Sequence, residues 1–478
     1  MINNNNPNNS INHNYKITLL LTSDNSFYFF NKSVDTSVSR GENAQTVNLS
    51  QKFINRINAA QYSVDAALYS LSGAVGANVA SSFISAKNRG VKVRVIGEKD
   101  NQSTAPWNTL KSNGITVIDD GFDATNAGAG LMHNKFAVFD YRDTSNFTDD
   151  WIWSGSWNAT DSGTDTDAQN SIEIQDKSLA GAYTLEFNEM WGSDSDVPNS
   201  SNSRFGIRKT NNTPHLFNIA ETPIELYFDP SDQTTTHIGE ALNSAESSIN
   251  IAMLTFTKDD LAHILVNQKN AGKKVRAILD NNTDSGNEFS YLQTNGVDIH
   301  LKGNALTGYL HHKYAVIDAE TNLENQTIIT GSHNWSNAAE TTNNENTLII
   351  HSKRIANLYL QEFKARYLEA GGTDTISIIT NIADNYNDKA PVQFYLYQNY
   401  PNPFNPTTNI DFSIPQKSKV TLSIYNTLGQ IVSTLINEEK EAGIYQLKFN
   451  ASTLSSGVYF YKISTGEFNQ TKKLILLK

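Results

Sequence analysis

Cysteine is absent from the chain, which excludes a disulfide framework, thiolate metal sites and a cysteine nucleophile. The compartment stays open, because a large exported domain can be stable without disulfides. An excess of basic residues is also missing: 37 Lys and Arg stand against 49 Asp and Glu, a formal net charge of -12. That counts against a protein that wraps nucleic acid over a broad surface, although one basic cleft is compatible with it. No apolar run approaches the roughly 20 residues of a membrane-spanning helix. An Asn-rich stretch, residues 3–14, precedes Lys16 and the short run Ile17–Leu21. With so short an apolar region and no clear small-residue cleavage site, it is a poor signal peptide. Residues 1–44 are expected to form a polar segment carrying at most a residual export signal.

What is present is an internal repeat. Ser63-Val64-Asp65-Ala66-Ala67-Leu68 is echoed by Ser248-Ile249-Asn250-Ile251-Ala252-Met253, and Gly90-Val91-Lys92-Val93-Arg94-Val95 by Gly272-Lys273-Lys274-Val275-Arg276-Ala277. Asn113-Gly114-Ile115 returns as Asn295-Gly296-Val297. Two homologous modules in tandem account for this, and 478 residues leave room for a further domain. In each module an apolar strand precedes a helix and a second strand, which predicts α/β sandwich modules. The helices are expected over 74–89 and 258–271, each ended by a glycine, Gly90 or Gly272. The modules are placed at 45–197 and 215–370, with the polar stretch 192–214 as their link.

Composition changes after residue 371. A polar linker leads to short β-rich runs at 408–414, 420–425, 444–449 and 458–463, which read as a small all-β sandwich over 391–478. That segment has eight lysines against five acidic residues, a net of +3 that leaves -15 for the rest.

The chemistry sits in paired motifs. The first module contains His133-Asn134-Lys135, four residues, then Asp140, and later Gly155-Ser156-Trp157-Asn158. The second contains His311-His312-Lys313, four residues, then Asp318, and later Gly331-Ser332-His333-Asn334. One His-x-Lys is weak; two complete copies in register are strong. On a strand, His and Lys two residues apart share a face. An ammonium neutralises phosphate oxygens while an imidazole reacts at phosphorus, and Ser and Asn add neutral donors. Asp140 and Asp318 fall on the opposite face, which predicts a structural role. By the same alternation His312 points away from His311 and is structural. His333 occupies the variable position and is a candidate to line the pocket. Trp153, Trp157 and Trp335 are expected to pack in cores rather than stack on bases.

Over residues 45–370 these motifs resemble the phospholipase D superfamily. The resemblance implies two modules packed as a pseudo-dimer around one phosphodiester. One histidine attacks phosphorus to form a phosphohistidine, the other protonates the leaving oxygen, and no metal or cofactor is required. Carried over, His133, Lys135, Ser156 and Asn158 form one half, and His311, Lys313, Ser332 and Asn334 the other. The family often places a carboxylate behind a histidine. Glu345 stands at that spacing in the second module and Gln169 in the first, with Glu173 as a substitute. A carboxylate stabilises a cationic imidazole, so His311, paired with Glu345, is the expected nucleophile.

The tail, with Tyr400-Pro401-Asn402-Pro403-Phe404-Asn405-Pro406, Ile424-Tyr425-Asn426-Thr427-Leu428-Gly429-Gln430 and Ser456-Gly457-Val458-Tyr459-Phe460-Tyr461, is similar to type IX secretion sorting domains. That implies export machinery as a partner and a secreted or cell-surface protein of a Gram-negative bacterium. The expected activity is hydrolysis of a phospholipid head-group phosphodiester by a monomer. A secreted metal-independent endonuclease is the alternative, and an inactive surface-displayed binding protein, against which both complete motifs count, is the third reading.

Overall fold

A computed structural model of the chain describes residues 26–125, 130–146, 148–323 and 325–378, and in the C-terminal region 394–396, 399, 402, 404–466 and 468–477. The Asn-rich stretch and Ile17–Leu21 lie outside the described residues.

The first module is built on eight strands: β1 (Ser26–Phe30), β2 (Gln45–Thr46), β3 (Ser63–Leu68), β4 (Lys92–Gly97), β5 (Thr116–Asp119), β6 (Lys135–Phe139), β7 (Trp151–Gly155) and β8 (Asn170–Gln175). They form one sheet in the order β2-β1-β8-β7-β6-β3-β4-β5. The second module repeats the plan with β9 (Leu216–Ile219), β10 (Thr222–Asp229), β11 (Ser248–Met253), β12 (Lys274–Leu279), β13 (Asp298–Leu301), β14 (Lys313–Ile317), β15 (Thr327–Gly331) and β16 (Glu345–His351). From the corresponding edge its order is β9-β10-β16-β15-β14-β11-β12-β13. Apart from the edge strands β2 and β9, the two orders correspond strand for strand.

Each sheet joins a parallel half to an antiparallel one. Residues 63–68 and 248–253 are buried throughout; both faces are covered, which explains their near-continuous apolar sequences. Helices Gly73–Asn88 and Asp259–Asn270 connect the parallel strands. Gly90 and Gly272, just beyond them, adopt φ of +96° and +88°, a conformation that glycine supplies without a Cβ penalty.

One hydrophobic cluster belongs to the first module alone, with Phe53, Trp107, Trp153 and Trp157, and one to the second, with Phe256, Leu265 and Trp335. The largest draws on both, including Phe136, Tyr183, Phe228, Tyr314 and Tyr359. Aromatic contacts cross between modules within it: Tyr183 to Phe228 at 5.2 Å and Phe30 to Tyr359 at 5.0 Å between ring centroids. The two modules thus share a core. The three tryptophans of the motifs are packing residues, each about 1% exposed.

The module boundaries differ from those expected. Residues 26–30, assigned to the N-terminal segment, form β1 and pair with β8. The link 192–214 is partly buried: Ser203 and Phe205 are interior, and the Gly206 N–H donates to Asn344 Oδ1 at 2.8 Å. The second module also extends past 370. Arg276 pairs with Asp374 at 2.5 Å and Ile376 enters the shared core.

The C-terminal region forms a three-stranded and a four-stranded antiparallel sheet, with its own core of Phe404, Phe412, Leu422, Tyr461 and Leu474 among others. All four expected runs lie in strands, and 431–440 and 469–476 are strands as well. With separate cores, a chain ended after Ile378 should keep the calorimetric transition of the two modules. One ended at Ala370 should melt lower, because it loses Asp374 and Ile376. Equal melting of the two truncations counts against a structural role for residues 371–378.

Candidate active site

Lys135 and Lys313 open β6 and β14, the central antiparallel strands, and His133 and His311 immediately precede them. The loop before each histidine pairs with the other module. Leu131–His133 runs beside 343–345: Asn344 donates its N–H to Leu131 O at 2.8 Å, and His133 donates its own to Asn344 O at 3.1 Å. Tyr309–His311 runs beside 167–169 likewise, through Ala168 N to Tyr309 O at 2.8 Å and His311 N to Ala168 O at 2.9 Å.

This exchange corrects the expected histidine partners. Glu345, on the second module, meets His133 of the first, with Nδ1 at 2.7 and 2.9 Å from its two carboxylate oxygens. His311 instead directs Nδ1 at Gln169 Oε1, 2.8 Å, and Ser156 O, 3.1 Å, both from the first module. Both oxygens accept, so Nδ1 of His311 carries the proton. Glu173 reaches neither histidine; it forms an ion pair with Arg56 at 3.0 Å.

The remaining motif residues support this core. Ser332 Oγ donates to Glu345 Oε2 at 2.6 Å, while Ser156 contacts Asn170. The carboxamide oxygens of Asn158 and Asn334 are buried without a hydrogen-bond partner. Gly155 and Gly331 have φ of +133° and +147°, and a Cβ on either would collide with the backbone of Asn170 or Asn346. Glycine therefore lets the next strand approach closely enough to seat the serine. Lys135 Nζ donates to His133 O at 2.5 Å and Lys313 Nζ to His311 O at 2.9 Å.

The site is buried and its charges respond. Burial pushes the His133 imidazole down to about 4, against the pull of Glu345. The Glu345 carboxyl, which burial alone would raise, lies at about 2 because His133 and Lys135 favour its ionised form. At neutral pH His133 is thus a neutral imidazole donating Nδ1–H to an anionic carboxylate, with Nε2 unprotonated. Burial lowers Lys135 to about 7. Lys313 and His311 are also driven well below their ordinary values, by burial and then by a neighbouring lysine.

Asp140 and Asp318 stand away from the histidines. Asp140 accepts the N–H groups of Gln61, Tyr62 and Ser63 at 2.7–3.1 Å, and Asp318 those of Glu246, Ser247 and Ser248 at 2.7–2.9 Å. Both have φ near +60° and close the turn into β3 or β11. His312 is fully buried, 3.0 Å from Glu362 and 3.2 Å from Asn170. His333 does not join the two catalytic candidates. It is buried beside Asp229 and Glu340, and among the described residues those three are the one group whose ligand atoms all lie within 4.8 Å of one another.

Sequence reasoning missed Glu98 and Asp280. Each immediately follows a corresponding parallel strand and accepts a backbone N–H from the histidine loop, Met132 N at 2.6 Å and Leu310 N at 2.7 Å. The signal was available, since an acid follows each copy of the Val-Arg strand echo. Asn170 and Asn346, next to Gln169 and Glu345, are two more. Asn346 bridges Ser154 and Asn134 across the module boundary, and Asn170 reaches Thr330 and Tyr359.

A family model described as cardiolipin synthase, PLD-like domain, matches residues 53–191 and 238–367. The chain belongs to the phospholipase D-like family. Residues 398–477 match a secretion system C-terminal sorting domain; the protein is therefore an exported one, secreted or held at the cell surface. A mitochondrial cardiolipin hydrolase from Xenopus tropicalis is 34% identical over 127 residues, 26% of this chain and 57% of that protein. A phospholipase D from Rickettsia conorii is 29% identical over 155 residues, 31% of this chain and 74% of the other. The chain spans about half the length of the cardiolipin hydrolases it matches, from 47% to 63%. The crystal structure of phosphatidylserine synthase from Haemophilus influenzae shares the fold, with a TM-score of 0.50 at 13% identity over 72% of this chain and 85% of that one. No helix among the described residues is long and apolar enough to cross a membrane.

The motif aspartate is testable apart from chemistry. Asp318→Ala strands three backbone donors, two of them on the half-buried turn, and should cost about 2–4 kcal/mol. Denaturant unfolding should show the loss while turnover per folded molecule stays near wild type. A large fall in turnover with unchanged stability would assign Asp318 to the chemistry instead.

Proposed function

We propose that the chain is a secreted phosphodiesterase of phospholipase D type that hydrolyses a phospholipid head-group phosphodiester through a phosphohistidine. The observation that carries this reading is the pair of buried imidazoles. They come from homologous modules, each has its Nδ1 held by the opposite module, and they stand within electrostatic reach of each other and of two lysines. The names of the family relatives support a phospholipid, and the acidic modules favour it over a long polyanion.

The exchange of partners moves the nucleophile to His133. In the first step its Nε2 lone pair forms the N–P bond while the P–O bond to the head group breaks. Glu345 compensates the positive charge that grows on the imidazole. His311 then protonates the departing oxygen. Its pKa is low in the free protein, but an anionic phosphodiester bound between Lys135 and Lys313 offsets the cost of charging it. In the second step Nε2 of His311 takes a proton from water, whose oxygen attacks phosphorus and releases His133. Ser156, Asn158, Ser332 and Asn334 supply or orient neutral donors around the phosphoryl group.

Acid-quenched labelling with a p-nitrophenyl phosphodiester tests the assignment. His133→Ala should form no phosphoenzyme. His311→Ala should form it slowly and accumulate it, since loss of a general acid or base costs about 10²–10⁴ in rate. Label on His311 in the His133→Ala protein would reverse the roles. Parallel assays on cardiolipin, phosphatidylcholine and single- and double-stranded DNA separate the phospholipase from an endonuclease.

The pH profile is a second test. Lys135 loses its proton as pH rises through about 7 in the free protein, which weakens anion binding. His133 gains a proton as pH falls through about 4 and loses its lone pair. Since kcat/KM reports the free enzyme, it should be bell-shaped with limbs near those values. A profile that stays flat to pH 9 removes the buried lysine from substrate binding.

A further inference from the structure

Among the described residues, a cluster of buried polar groups poor in hydrogen-bond partners lies beside Glu345. Asp229 ends β10, His333 follows the end of β15 by two residues, and Glu340 sits on the short helix Asn337–Thr341. Asp229 and His333 are interior, at 0% and 3% exposure. Both ring nitrogens of His333 lack a hydrogen-bond partner, and the Asp229 carboxylate has none but the Thr234 hydroxyl beside it. Buried polar groups are nearly always paired, and an orphaned cluster of this kind points to a missing water or ion.

The geometry decides between them. His333 Nε2 lies 3.4 Å from Asp229 Oδ2 and 3.9 Å from Glu340 Oε2. These separations are long for hydrogen bonds; the first matches the edge of a ligand tetrahedron and the second is slightly longer than one. With metal–ligand bonds of about 2.0–2.2 Å, neighbouring donor atoms stand roughly 3.3–3.6 Å apart. No Lys or Arg among the described residues forms an ion pair with Asp229 or Glu340. The nearby Lys209 is committed to Glu186 at 2.5 Å and to the backbone oxygen of Asp229 at 2.6 Å. Two carboxylates without a cationic partner are neutralised by one divalent ion. The Glu340 Oε2 is held in place by the Thr235 N–H at 2.8 Å, as ligating carboxylates commonly are.

We propose that Asp229, His333 and Glu340 bind a divalent transition-metal cation of the zinc class, with a fourth position left for water or the Thr234 hydroxyl. An imidazole with two carboxylates suits zinc, whereas calcium and magnesium take six or more oxygens. The ion is structural. Asp229 is the cross-strand partner of Glu345, and His333 follows Ser332, which holds the Glu345 carboxylate. It ties β10 and β15 on either side of the strand that carries the buttress.

The test needs no turnover, so it stands or falls apart from the phosphodiester reading. The purified full chain is stripped with a chelator, dialysed, and given zinc chloride at one equivalent. One zinc per chain by elemental analysis and a rise of several degrees in melting temperature are expected, with no rise for magnesium. His333→Ala and Glu340→Gln should lose both the zinc and the rise; Glu340 is only partly buried, so its amide variant has the better prospect of folding. Cobalt(II) in the wild-type chain should give the intense visible bands of a four-coordinate site. Absence of stoichiometric zinc in the wild type, a six-coordinate cobalt spectrum, or full zinc binding in either variant overturns the proposal.

Discussion

Everything at the site depends on backbone pairing across the module boundary. Three residues before each lysine-bearing strand lie against the segment that carries the other module's buttress, held by main-chain hydrogen bonds at 2.8–3.1 Å. Main-chain pairing fixes position irrespective of side chain, so two homologous halves can differ in chemistry without differing in placement. Neither His133 nor His311 has its orienting side chain in its own module. A shared aromatic core maintains the alignment, and the buried carboxamides of Asn170 and Asn346 reinforce it. Such a polar pair is costly unless well bonded, and each of these has partners on both modules.

The two halves have diverged at one decisive position. An anion behind His133 and a neutral amide behind His311 give the two imidazoles different proton affinities in otherwise matched surroundings. A group that must carry positive charge through a covalent intermediate gains most from the anion, while one that must pass a proton in both directions is better left without a permanent counter-charge. The difference of one side chain is enough to break the symmetry of the pseudo-dimer.

The sequence made the residue types legible and the partnerships illegible. The paired His-x-Lys motifs and the glycines of Gly-Ser-x-Asn are legible from the register of the repeat, which is local, whereas Asp140 and Asp318 lie in turns just past β6 and β14 and not on the strand face that alternation assigns. Glu345 is only 34 positions from His311 and 212 from His133, and nothing local indicates that the longer span closes. β1 was overlooked for the same reason: its one long partner is β8, about 140 residues on. Likewise His333 reads as a variable motif residue until folding brings Asp229 and Glu340 to it. In the tail, Ile431–Lys440 is an edge strand with mostly exposed or half-exposed residues, so it lacks the alternation that marked its neighbours.

Burial explains why the site can be assembled from cations at all. Two lysines and two histidines are all interior, and in the free protein burial lowers the proton affinity of all four, leaving the histidines neutral and Lys135 poised near 7. The empty site thereby avoids the cost of several unpaired buried charges. On the proposed reading, a phosphodiester anion supplies the missing countercharge, so substrate binding and proton uptake are one event. The cationic arrangement that stabilises a pentacoordinate phosphoryl group then exists only when that group is present. Water entering alone finds neutral histidines and no phosphodiester anion to favour their charged forms.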